Sequence, residues 1–230
     1  MPRLHSSLVF AGTLIAALAT LSGCETVVTR DTKITLADPQ DAPTEGTTIL
    51  QSRLDRLEKL AKEYPLRSDY PYQIAGVHAQ MENTREAAKA LERAIALDKN
   101  ESKYHYHLGR MYLRMRELDK AETAFRGAVQ VTPGGRFTGA HAALGYVLCQ
   151  KGDWEGARAQ FETVKAIDPK EPNASYFLGC VHDARGDTAK AIENLKEYLR
   201  LGGGEYTSKA SDLLLSLGVS AEEIDTLRGA

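Results

Sequence analysis

The sequence predicts an all-α fold: a solenoid of stacked helix-turn-helix units with capping helices at its amino- and carboxy-terminal ends. Three observations predict it. From residue 49 the apolar side chains fall at helical spacing. The pattern returns with a period of 34 residues. Each return also carries turn residues in one place, namely Glu82-Asn83, Arg116-Glu117, Gly152-Asp153 and Gly186-Asp187. The composition is that of a soluble globular chain, with 43% hydrophobic and 26% charged residues in 230. Its 29 Lys and Arg against 31 Asp and Glu leave no basic excess to neutralise phosphates, which argues against nucleic acid as a partner. Cys24, Cys149 and Cys180 are too few for a disulfide scaffold and too far apart for a metal-ligand motif, so stability has to come from packed apolar side chains.

Ahead of the periodic part, residues 1–23 read as a targeting segment. Arg3 supplies a positive start, and Leu8 to Leu21 form an uncharged apolar stretch of fourteen residues, shorter than a bilayer-spanning helix needs. The stretch closes on Leu21-Ser22-Gly23-Cys24, which resembles the lipobox of bacterial lipoprotein precursors. The small residues let an extended segment enter a peptidase, and the thiol receives diacylglycerol. The resemblance implies a mature chain that begins at an acylated Cys24, and Glu25 after it implies sorting to the periplasmic side of the outer membrane. An ordinary secretory signal that ends in cysteine fits the same residues. Buried acyl carbons contribute on the order of 0.8 kcal/mol per CH₂, and two or more chains anchor a protein stably. Residues 24–48, with clusters such as Asp38-Pro39-Gln40-Asp41-Ala42-Pro43, read as a flexible tether with an end-to-end distance on the order of 25 to 30 Å.

The clearest copy of the period runs over residues 102–137 and carries Leu108-Gly109, Tyr112, Ala121, Phe125, Ala128 and Pro133 at positions 7, 8, 11, 20, 24, 27 and 32. The next, 138–171, carries Leu144-Gly145, Leu148, Ala157, Phe161, Val164 and Pro169 at the same positions. These two copies start 36 residues apart, so Gly134-Gly135 and their neighbours make a longer turn. The copy at 172–205 has Leu178-Gly179, His182, Ala191, Leu195 and Tyr198, with Gly203 in the place of the proline. A looser copy at 68–101 has Ile74, Ala75, His78, Ala87, Leu91, Ala94 and Lys99. This pattern resembles the tetratricopeptide repeat, and the resemblance implies antiparallel helix pairs stacked into a superhelical array. The small residues at positions 8 and 20 have a packing reason, since each permits close approach of the paired helices. Residues 49–66 place Leu57, Leu60 and Pro65 in the last positions of a preceding register, with Arg53 where a small residue belongs, and read as a capping helix. Residues 206–230 carry the stripe Tyr206, Ala210, Leu213, Leu214 and Leu217, then Ser220 with Glu223 as a capping box.

Helix positions 2, 5, 9 and 12 lie opposite the packed stripe. In the family that this chain resembles, they line a concave groove that takes extended peptides or partner helices. Carried over, the groove presents Tyr72, Lys103, Tyr106, Arg110, Tyr146 and Tyr176, with Arg114 beside them, and Tyr106 and Arg110 face solvent. Aromatic faces near cations suit a peptide with an acidic group. The same spacing also fits tyrosines packed between adjacent first helices with only their hydroxyls outside. Position 9 holds Gly76, Arg110, Tyr146 and Cys180, which departs from the family's carboxylate clamp in having no asparagine. His105 and His141 at position 4, and His78 and His182 at position 11, occupy packing slots, so no metal and no cofactor is expected. No catalytic fingerprint is present, and the chain is not expected to be an enzyme. Cys149 and Cys180 fall on one face of neighbouring first helices, where a disulfide would require a Cα separation under ~7 Å.

The expected function is that of a lipid-anchored adaptor that holds a protein or peptide partner in an envelope assembly. The plan is similar in architecture to pilotins of type IV pili and to assembly lipoproteins of outer-membrane protein insertion. An accessory of a cell-wall enzyme, or a peptidoglycan-associated regulator, is the alternative. The sequence leaves the oligomeric state open.

Overall fold

The structure is a computed structural model that describes residues 46–229; the targeting segment, Cys24 and nearly all of the tether lie outside the described residues. Those residues form eleven α-helices and one short 3₁₀ turn. Helix α1 spans Thr47–Glu63. Four hairpins follow: α2 (Asp69–Gln80) with α3 (Thr84–Leu97), α4 (Ser102–Arg114) with α5 (Leu118–Val131), α6 (Thr138–Gln150) with α7 (Trp154–Ile167), and α8 (Pro172–Ala184) with α9 (Thr188–Arg200). Helices α10 (Thr207–Ser216) and α11 (Ala221–Arg228) complete the array. Each hairpin packs most closely within itself, and its second helix then packs on the first helix of the next. That arrangement is a one-dimensional stack with nearest-neighbour contacts.

The periodic positions are the most deeply buried points of every hairpin. Ala87, Ala121, Ala157 and Ala191 are fully buried, and so are Leu91, Phe125, Phe161 and Leu195 one turn later. The glycines of the first helices fit beneath this second set. A Cβ on Gly109 would stand 2.7 Å from the Phe125 ring, one on Gly145 2.9 Å from Phe161, and one on Gly179 2.7 Å from Leu195. The glycine therefore makes room for the bulky residue at position 24, and not primarily for the alanine at position 20 as the pattern alone implied. In the first hairpin the same two positions hold Ala75 and Leu91, both fully buried.

The four interhelix turns are one structure repeated. The residue after the first helix is followed by a left-handed residue, Glu82 (φ 61°), Arg116 (φ 59°), Gly152 (φ 76°) or Gly186 (φ 76°). The next amide then donates back to a helical carbonyl: Asn83 to His78, Glu117 to Tyr112, Asp153 to Leu148 and Asp187 to His182, each at 2.9 Å. This is the Schellman closure. In the last two hairpins the same residue caps the second helix, with Asp153 accepting from the amide of Gly156 at 2.9 Å and Asp187 from that of Lys190 at 3.3 Å. Two of the four left-handed sites thus hold non-glycine residues, at about 1–2 kcal/mol of steric cost each.

The longer second unit closes through the 3₁₀ turn Pro133–Gly135, where Gly134 and Gly135 both have positive φ (67° and 62°). His141, expected only to fill a packing slot, holds this turn. Its Nε2 meets the Gly135 carbonyl and its Nδ1 the Gln160 side chain, both at 2.8 Å. At the carboxy-terminal end Tyr206 stacks on Tyr176 at 4.5 Å and donates its amide to the Tyr198 hydroxyl at 3.0 Å. Lys196 of α9 pairs with Glu223 of α11 at 2.6 Å, and the Ser220 hydroxyl accepts from the Glu223 amide.

Two outcomes follow from this packing. Gly145→Leu sets a branched side chain against a fully buried ring and destabilises the array by about 3 kcal/mol, read as a fall in the denaturant midpoint. Arg116→Gly relieves the left-handed residue at a smaller cost in chain entropy and stabilises by about 0.5–1 kcal/mol, read as a rise in Tm. A neutral or lowered Tm for Arg116→Gly would show that this turn is unstrained.

Candidate functional site: an aromatic and cationic face on the first helices

The helical period of α4 sets Lys103, Tyr106, His107, Arg110 and Arg114 on neighbouring turns. Their surroundings come from the adjoining hairpins. Tyr72 of α2 lies 4.8 Å from the Tyr104 ring and 5.8 Å from the His107 ring. Tyr106 contacts His107 at 5.4 Å, Phe125 at 5.8 Å and Phe137 at 5.0 Å. Two cations lie over these rings, Lys103 over Tyr72 at 5.4 Å and Arg110 over Tyr106 at 5.7 Å, contacts worth about 0.5–1 kcal/mol at partly exposed sites. Tyr106 reaches towards the start of α6, where a Cβ on Gly139 would come 3.8 Å from its hydroxyl.

The expected site residues divide into two groups. Tyr72, Lys103, Tyr106, Arg110 and Arg114 come together, with Lys103 and Arg114 exposed and the other three half-buried. Tyr146 and Tyr176 are 5% and 2% exposed, so their rings are not presented to solvent. Tyr176 is held between Phe177, Tyr198 and Tyr206, and the Tyr146 hydroxyl accepts from Gln150 at 3.2 Å. Nor do Tyr106 and Arg110 face solvent fully, because Tyr106 is wedged against Phe125 and Phe137 and Arg110 follows its ring. Cys149 and Cys180 are both half-buried and unbridged.

Two members of the face were missed from the sequence. His107 falls outside positions 2, 5, 9 and 12, and Phe137 belongs to the two-residue insertion, while Tyr104, 4% exposed, backs the face from within. The insertion itself was the available signal, since an aromatic residue in an added turn next to α6 has little else to pack against.

Burial raises the Tyr72 phenol to about 12, helped by Tyr104 and Glu101, so it stays protonated. Burial likewise lowers His107 to about 4, with Arg110 and Lys103 adding to the effect. The His107 Nδ1 is buried without a hydrogen-bond partner. For Arg110, burial lowers the pKa, Tyr106 opposes, and Arg114 lowers it further. Arg110 and Arg114 are thus a like-charge pair one helical turn apart. Among the described residues no carboxylate lies within ion-pair distance of Arg114, and Lys103 reaches only Glu101 at 3.3 Å.

The second-helix side is different. Lys151 bridges Asp119 and Glu122 at 2.5 and 2.7 Å, Arg126 also holds Glu122, Arg158 holds Glu155 and Glu162, Arg185 meets Glu155, and Lys165 meets Glu197. Several of these pairs tie neighbouring hairpins together, whereas Lys103, Arg110 and Arg114 stand on one helix, α4. Among the described residues no group of three or more His, Cys, Asp and Glu could hold a metal ion, and no helix is long and apolar enough to cross a membrane.

Against known proteins, a family model described as the tetratricopeptide repeat matches residues 72–136 and 142–206, more than half of the chain. The chain is a tetratricopeptide repeat protein. Solved structures share the fold: a crystal structure of MamA superposes with a TM-score of 0.63 at 19% identity, covering 70% of this chain and 92% of that one. YrrB, a tetratricopeptide repeat protein with an unusual peptide-binding site, gives 0.60 at 22% identity, covering 67% and 78%. Superkiller protein 3 of Schizosaccharomyces pombe is 25% identical over 116 residues, which are 49% of this tetratricopeptide chain but only 8% of the yeast protein.

The His107 imidazole makes the face sensitive to acid. Above pH 6.5 the folded and unfolded forms are both neutral there, and below it the unfolded chain takes up a proton before the folded chain does. Stability therefore falls between pH 6.5 and about 4, by up to about 3 kcal/mol. His107→Phe flattens this part of the profile, and NMR titration of His107 should give a midpoint near 4; a midpoint near 6.5 would refute its burial as a neutral group.

Proposed function

We propose that this tetratricopeptide protein is a lipid-tethered adaptor of the bacterial envelope that grips an acidic segment of another protein on its first-helix face. One observation carries the binding part of this reading. Lys103, Arg110 and Arg114 gather on α4 beside Tyr72 and Tyr106. A carboxylate brought to α4 relieves the Arg110–Arg114 repulsion and forms charge-assisted hydrogen bonds, while the tyrosine rings supply apolar area at low entropy cost. The tether part rests on Leu21-Ser22-Gly23-Cys24 and the acyl chains that Cys24 would carry. Together they describe a protein that positions a partner near a membrane without chemistry of its own, in a pilus, secretin or outer-membrane assembly.

The cell-wall reading includes contact with the glycan itself through a face of tyrosines. Burial of Tyr146 and Tyr176 leaves only Tyr72 and Tyr106 of that face partly open, which favours the adaptor.

Arg110→Gln with Arg114→Gln should weaken binding of a fluorescent octapeptide containing paired glutamates and a tyrosine by about tenfold or more, while Lys190→Gln on the second-helix side leaves it unchanged. Equal loss with both variants would mean nonspecific charge attraction. In bacterial cells expressing the full chain, Cys24→Ala should move the protein from the membrane to the soluble fraction; retention in the membrane would refute lipid anchoring.

A further inference from the structure

Two histidines at the same repeat position are treated differently by their surroundings. His105 and His141 each latch the connection that precedes their hairpin. His105 Nε2 meets the carbonyl of Lys99 at 2.9 Å, and His141 Nε2 that of Gly135 at 2.8 Å. A carbonyl can only accept, so Nε2 carries the hydrogen, and the neutral ring is left with a lone pair on Nδ1. In His141 that nitrogen is met by the Gln160 side chain at 2.8 Å. The residue that corresponds to Gln160 in the repeat of His105, 36 residues earlier, is Ala124, which offers no polar group. His105 Nδ1 has no hydrogen-bond partner among the described residues, and unlike Nδ1 of His78 and His107 it is not closed off from water.

A glycine keeps this nitrogen open. A Cβ on Gly127 would stand 2.8 Å from His105 Nδ1, too close for the imidazole to stay in place. The corresponding residues of the other repeats are Arg93, Thr163 and Glu197, and a glycine inside a helix costs stability relative to any of them. The lone pair lies on the floor of an open cleft of about 750 Å³ between the ends of α3 and α5. Ile95 and Ala96 of α3 and Val131 of α5 line it with apolar groups, and Glu92 and Lys99 line it with opposite charges. Glu92 is already engaged by the Tyr112 hydroxyl. Apolar walls, a lone pair and no net charge match a flat ring that has an N–H donor and no acceptor, which is an indole. A guanidinium would have to leave water beside Lys99, and a phenyl ring would leave the lone pair unmet.

We propose that the cleft between α3 and α5 binds a tryptophan side chain of a partner protein, with the indole N–H donating to His105 Nδ1 and the ring lying over Gly127 between Ile95 and Val131. Lys103 is two residues from His105 and so about 200° around α4, which separates this cleft from the face proposed above for an acidic segment. The two sites can be filled at once, and neither inference depends on the other.

Long-range proton–nitrogen NMR of the histidine side chains in the full chain, at mildly alkaline pH in mild detergent, tests the proposal, with the His105 signals assigned from the spectrum of His105→Gln. N-acetyl-tryptophan amide should move the His105 Nδ1 resonance upfield in a saturable way and leave that of His141 in place. Its ring-N-methylated analogue, which keeps the ring but lacks the N–H, should bind about tenfold more weakly, and N-acetyl-arginine amide more weakly than the tryptophan probe. Gly127→Ala and Ala96→Glu should each abolish the shift without lowering Tm. Ala96 is exposed, so its replacement keeps the fold even where a methyl group at residue 127 displaces the imidazole. An unmoved His105 resonance, equal binding of the methylated or the arginine probe, or binding that survives Ala96→Glu would each overturn the proposal.

Discussion

Everything in this array depends on one contact repeated along it: a glycine of the first helix lying under a fully buried side chain of the second. Gly109 under Phe125, Gly145 under Phe161 and Gly179 under Leu195 fix how near the two helices of a hairpin come. That spacing in turn brings alanines 87, 121, 157 and 191 into complete burial. A hairpin of this size buries too little surface to stand alone. Its second helix therefore takes the next first helix as part of its core, and the stack propagates in register.

The register has a functional consequence. Because the first helices repeat side by side, residues on the face flanking the glycines are gathered from successive hairpins. Tyr72 from one hairpin, Lys103 and Arg110 from the next, and Phe137 from the connection after it meet within ring-contact distance. The face is thus built on rigid elements, and the side chains that line it are oriented by stacking among themselves.

The fold was almost entirely legible in the sequence, because each periodic residue does its work within one hairpin or across one interface. Leu, Gly, Ala and Phe at fixed offsets specify the pairing, and Gly-Asp dipeptides specify two of the turns. The site was legible only in part. Tyrosines at one helical position are equivalent in the pattern but not in the stack: Tyr72 and Tyr106 face half-open neighbours, whereas Tyr176 is covered by Tyr206 from the terminal cap. His141 looked like a packing residue because nothing in a periodic reading announces that the inserted turn needs a hydrogen-bond donor. The insertion also brought in Phe137, for which a strict repeat has no position.

The turns give the array a polarity. The left-handed site is taken by Glu82 and Arg116 in the two amino-terminal hairpins and by Gly152 and Gly186 in the two carboxy-terminal ones. The carboxy-terminal pair also has aspartate caps on the second helix of each hairpin. In a nearest-neighbour stack such local differences are not averaged away. The amino-terminal half is expected to fray first, with the distal half serving as the anvil on which the remainder re-forms. Tension applied at the amino terminus would peel the protein from its weaker end, leaving the last two hairpins as the final part to yield.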